Sequence, residues 1–155
     1  MDPQYKQLAE ELKAFRSILK QKYGVEYLSK MDIHEQEKYV EMTSALNQSN
    51  PEQIRQDIMN VINYKNTVAT AMQQGSYTLM DAQAEVTKIH ASIQEMIDNN
   101  PELSEQEEDI REQLNDILSL PSDNLNHLGI KIGYLKCLQD SISGTSKEEN
   151  NQLHP

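Results

Sequence analysis

Apolar side chains return every three or four residues along most of this chain, a period that suits an amphipathic α-helix. Tyr5, Leu8, Leu12, Phe15 and Leu19 make the first stripe, at spacings of 3, 4, 3 and 4. Leu79, Ala82, Val86, Ile89, Ile93 and Met96 make the most regular one, a coiled-coil-like seam. Between these lie a weaker stripe (Tyr39, Val40, Met42, Ala45, Leu46) and a third predicted helix with Ile54, Ile58, Val61, Ile62, Val68, Ala69 and Met72 inward. Two more follow: Ile110, Leu114, Ile117 and Leu118, then Leu125, Leu128, Ile132, Leu135, Leu138 and Ile142.

The punctuation agrees with the period. Asp2 and Pro3 suit a helix start, and Gly24 suits a left-handed stop. Asp32 with Glu35, Thr78 with Asp81, and Ser104 with Glu107 have capping-box spacing. Asn50-Pro51 and Asn99-Asn100-Pro101 break the chain between helices, Gly75 ends the third, and Pro121 precedes a recap at Ser122 or Asp123. Residues 25–31 read as a helical turn or a loop. The prediction is an all-α fold: an antiparallel bundle of about five to six amphipathic helices over residues 1–142. A disordered C-terminal tail over 143–155 (SGTSKEENNQLHP) follows, because that segment has no periodicity. Ile54–Ile62 also resembles Ile110–Leu118, each after an Asn-Pro-Glu start. A duplicated hairpin and two independent amphipathic helices both account for it.

At 155 residues, 37% of them hydrophobic, the chain suits one domain with a core of Leu, Ile, Val, Met and Ala. Cys137 is the only cysteine, so no internal disulfide forms. The N-terminal stretch has no basic segment followed by an apolar run, and no stretch approaches the ~18 apolar residues of a membrane helix. The expected location is cytoplasmic, with no membrane partner; a chain exported by a signal-independent route would look the same. A net charge of −11 argues against direct nucleic-acid binding. The charge is concentrated: residues 98–116 hold eight acids against Arg111 alone, whereas residues 1–40 balance seven against seven.

Chemical motifs are sparse. The histidines, His34, His90, His127 and His154, form no His-Glu-x-x-His, and Thr87 and Asn124 stand where a di-iron bundle would need Glu before His90 and His127. His90 borders the apolar seam and reads as a boundary residue. Asp98, Asn100, Glu102, Ser104 and Asp109 imitate calcium-loop ligands, but Leu103 stands where the loop needs glycine and Pro101 interrupts it. Cys137 has no histidine near it in sequence. No catalytic residue, cofactor or metal site is expected.

Two features remain as candidate protein-binding positions. Glu105, Glu108 and Glu112 are spaced to share one side of a helix; an ordinary hydrated face at a helix N-terminus, where acids are favourable, is the simpler explanation of them. Gly129, Gly133, Cys137 and Ser141 form a small-residue ridge spaced by four; it suits a helix of a partner or close packing within the bundle. The expected function is a non-catalytic protein-binding module, an adaptor, inhibitor or chaperone-like factor, whose partner carries a basic surface. A variant of this reading has the acidic surface imitating nucleic acid. Self-assembly into a homo-oligomer through the heptad-like seams, and a carboxylate-based metal-binding bundle, are the alternatives.

Overall fold

The computed structural model describes residues 3–47, 78–123 and 125–153, with scattered positions between 52 and 75; side chains are described as far as Ile142. The chain is an all-α bundle. Its helices are α1 (Pro3–Tyr23), α2 (Ile33–Asn47), α3 (Leu79–Asn99), α4 (Glu107–Leu118) and α5 (Leu125–Leu153). The described positions from 52 to 73 have helical backbone. The inward residues predicted for that segment (Ile54, Ile58, Val61, Ile62, Val68, Ala69 and Met72) lie outside the described residues, and of the internal similarity's first stretch, 54–62, Arg55, Gln56 and Met59 alone lie within them.

α5 is the central element. It packs against α2, α3 and α4, while α1 lies on α2. α1 and α4 run the same way: Tyr5 meets Asp109 near both starts, and Arg16 and Lys20 meet Asp116 near both ends. Leu128, Ile132, Leu135, Leu138 and Ile142 are all at most 1% exposed. Gly129, Lys131, Gly133, Tyr134 and Cys137 between them are buried as well. A helix buried on most sides has little hydrated face, here Lys136, Gln139 and Asp140, which explains why few charges interrupt it. Its backbone continues to Leu153, past the stripe that ends at Ile142. The residues beyond contain one apolar side chain, Leu153, so the sequence offers that turn-by-turn extension nothing to bury, as expected of a tail.

Local chemistry sets the ends. Gly24 (φ +89°) and Gly75 (φ +72°) adopt the left-handed conformation that glycine tolerates without strain. At α2, the Glu35 N–H donates to Asp32 Oδ1 (2.8 Å) and the Asp32 N–H donates to Glu35 Oε1 (3.0 Å). Thr78 and Asp81 make the same reciprocal box at α3. The box predicted at Ser104 and Glu107 does not form. Pro101–Leu103 is a 3-10 turn, α4 starts at Glu107, and Gln106 caps it without a side-chain bond. Leu103, 1% exposed, draws this connection onto the core and places Ser104 in the 3-10 turn's own hydrogen bond to Pro101. The recap predicted at Ser122 or Asp123 involves positions outside the described residues; Ser122 Oγ accepts from Lys131 Nζ at 2.9 Å.

The ambiguous stretch 25–31 resolves into a 3-10 turn, Tyr27–Ser29, which inserts Tyr27, Leu28 and Met31 into the core. Tyr27 stands edge-on to Tyr39, and Tyr39 edge-on to Tyr134, with ring centroids 6.4 and 5.6 Å apart. These geometries suit the positive edge of one ring against the negative face of the next. The seam of α3 also drifts: Leu79 is 38% exposed, whereas Ile97 is buried. A 3.6-residue helix departs from a strict 3,4 pattern over this length.

Glu35 ties α1 to α2. Its carboxylate accepts from the Tyr23 hydroxyl at 2.6 Å and pairs with Lys22 at 3.2 Å. The Tyr23 bond, then the Asp32 N–H, hold its pKa down to about 2. A lowered pKa adds stability above the ordinary value of 4.5 that is lost as pH falls through about 2. Glu35→Gln is therefore expected to be less stable than the natural chain near neutral pH. Urea denaturation at descending pH should show that difference shrinking between about pH 4.5 and about pH 2.

Candidate functional site

The acids of residues 98–116 separate into two sets when the helices assemble. Asp109, Glu112 and Asp116 recur at intervals of three and four along α4, on the side that looks toward α1. Asp109 Oδ2 accepts the Tyr5 hydroxyl at 2.9 Å. Glu112 pairs with Arg16 at 3.4 Å. Asp98 and Glu107 pair with Arg111, which also donates to Gln94 Oε1 at 2.6 Å. Glu102, Glu105 and Glu108 are exposed, with no ion pair or hydrogen bond among the described residues. The three glutamates grouped by spacing are thus divided: Glu105 and Glu108 face solvent, while Glu112 is engaged by α1.

Asp116 is the strongest interaction of the first set and is only 7% exposed. Its Oδ2 accepts from Arg16 Nε (2.7 Å) and the Tyr27 hydroxyl (2.6 Å), and lies 2.6 Å from Arg16 Nη2. Its Oδ1 faces Lys20 Nζ at 2.9 Å. Arg16 Nη2 also donates to the Glu112 carbonyl at 3.2 Å. Burial opposes the charge on Arg16, but Asp116, Tyr39 and Tyr27 together outweigh it and raise its pKa. Burial, the neighbouring Tyr39 and the hydrogen bond to Asp116 together raise that of Tyr27. The network therefore keeps Arg16 charged and Tyr27 neutral. Sequence reasoning missed it because its members lie 89 and 100 residues apart. One signal was present: Arg16 interrupts the buried stripe of Leu12 and Leu19 at helical spacing.

The small-residue ridge lies inside the molecule. Gly129, Gly133, Cys137 and Ser141 are all buried. The two glycines lie on the helix against which three others pack, where absent side chains allow close approach. That arrangement is the in-chain packing alternative for the ridge. Beside it, Lys131 is 4% exposed and donates to the Leu118 carbonyl at 3.3 Å. It thereby serves the carbonyl end of α4, where a cation is favourable. Burial lowers its pKa.

The remaining candidates have ordinary partners. His90 is half-buried and contacts Gln94, and His127 lies 3.3 Å from Asp123. His34 is exposed, and His154 lies outside the described residues. Of the calcium-like set, Asn100 donates to the Met96 carbonyl, Asp98 meets Arg111 and Asp109 meets Tyr5. Among the described residues, no group of three or more His, Cys, Asp or Glu is placed to hold a metal ion. No described helix is long and apolar enough to cross a membrane. Comparison with protein-family models, curated proteins and solved structures finds no match.

The two ion pairs of Arg16 differ in burial, and this sets their expected weight. Asp116→Ala strands a buried guanidinium and should cost about 3–5 kcal/mol. Glu112 is about one-third exposed, and its loss leaves Arg16 with Asp116. Glu112→Ala should therefore cost less than about 1 kcal/mol. Chemical denaturation of the two variants checks the order.

Proposed function

We propose that this chain is a protein-binding module, an adaptor, inhibitor or chaperone-like factor, with no chemistry of its own. The edge carrying Glu102, Glu105 and Glu108 docks on a protein partner that presents Lys or Arg. One observation supports this reading: these three carboxylates are exposed and unpaired among the described residues, while their acidic neighbours at 98, 107, 109, 112 and 116 each have a partner within the chain. The fold needs the second set to fasten α1 and to engage Arg111. It has no such use for the first. Crowded like charges repel, and a cationic surface offsets that repulsion while steering encounter. Part of the acidity is also favourable to α4 itself, since Glu107, Glu108 and Asp109 occupy its first turn.

The test is a tagged capture from nuclease-treated lysate of the source organism, comparing the natural chain with Glu105→Lys/Glu108→Lys. Both positions are exposed, so circular dichroism should show unchanged helicity. The expected outcome is one stoichiometric partner that the double variant loses and that moderate salt weakens. Equal retention by the double variant would contradict the reading.

A further inference from the structure

We infer that the groove between α1 and α4 is a binding site for a phosphate group. The groove has a volume of about 340 Å³ and is lined by Lys13, Arg16, Ser17, Lys20, Glu112, Asn115 and Asp116. It is a second feature of the molecule, independent of the acidic edge. In a chain of net charge −11, this lining holds three cations against two carboxylates.

The floor and the rim differ in chemistry. At the floor, Arg16 and Asp116 are buried and satisfy each other, and Arg16 also holds Glu112. Arg16 and Lys20 together balance these two carboxylates, which leaves Lys13 as the surplus cation of the groove. At the rim, Lys13, Ser17 and Lys20 fall at intervals of four and three along α1, one face of the helix. Asn115 stands across from them on α4. The side chains of Lys13, Ser17 and Asn115 are exposed and have no hydrogen-bond partner among the described residues. Lys20 pairs with Asp116 Oδ1 at 2.9 Å, and its ammonium has three N–H donors. Two ammonium groups, a hydroxyl and an amide thus surround one groove, with donors on both walls.

That donor set selects the ligand. A planar carboxylate presents two oxygens in one plane and would serve one wall. A tetrahedral phosphate presents oxygens in several directions and can accept from both helices at once. Bonds from ammonium groups to phosphate oxygens are the charge-assisted kind, roughly twice as strong as neutral ones. A bound phosphate would also draw α1 and α4 together across the groove, reinforcing the contact that Asp116 makes beneath it.

The experiment is a two-dimensional amide NMR titration of the full chain at constant ionic strength, with inorganic phosphate in one arm and glycerol 3-phosphate in the other. The expected result is saturable shifts confined to residues near 13–20 and 112–116. Lys13→Gln and Ser17→Ala should each weaken binding about tenfold, the loss of one charge-assisted or directional bond. Lys6→Gln, an exposed lysine on α1 outside the groove, should leave it unchanged. Tighter binding in the glycerol 3-phosphate arm would assign the site to a phosphorylated small molecule, and tighter binding in the other arm to the free anion. The inference is overturned if neither anion produces shifts beyond those of chloride, or if Lys6→Gln weakens binding as much as Lys13→Gln.

Discussion

A carboxylate withdrawn from water must be matched by donors or cations, and Asp116 is matched by three groups: the Arg16 guanidinium, the Tyr27 hydroxyl and the Lys20 ammonium. Removing any of them leaves charge or hydrogen-bonding capacity uncompensated in a site that is 7% exposed. This requirement fixes several elements together. It seats α1 beside α4 although the two are far apart in sequence. It anchors the 3-10 turn that brings Tyr27 to Tyr39, and through Tyr39 to Tyr134 on the central helix. Apolar burial supplies the larger part of the stability of such a bundle, but it is not directional. The Asp116 bonds are directional, so they choose one placement of α1 among the many that would bury Leu12 and Leu19.

The central helix solves a different problem. α5 packs against α2, α3 and α4, and the side chains at each contact set how near a neighbour comes. Glycine at 129 and 133, with Cys137 and Ser141, thins one ridge, at a helix-propensity cost of about 1 kcal/mol per glycine. Lys131 joins α5 to the last turn of α4 through the Leu118 carbonyl and to the following loop through Ser122. A buried ammonium there is tolerated because it meets acceptors that α4 cannot satisfy within itself.

Most of the architecture was legible in the sequence, because helical period and capping are local. Gly24, Asp32 with Glu35, Gly75 and Thr78 with Asp81 act as their spacing predicts. Ser104 fails as a cap because Leu103 is drawn into the core, a tertiary effect that no local pattern carries. The acidic segment was legible only as a sum of charges. Its division into Glu102, Glu105 and Glu108 outside and Asp109, Glu112 and Asp116 against α1 depends on which helix packs where. Tyr27 was obscured for a related reason: a short irregular segment has no period to read, yet it is wholly buried.

The central claim is that the Arg16–Asp116 contact, not apolar burial alone, sets α1 on α4. A double-mutant cycle tests it most directly, with Arg16→Ala, Asp116→Ala and the pair compared by urea denaturation. The account predicts strong non-additivity, with the pair losing less than the sum of the single changes by about 2–3 kcal/mol, because the second change removes a charge that the first left stranded. Single effects that add to within about 0.5 kcal/mol would contradict it, and would mean that α1 is held by its apolar face alone.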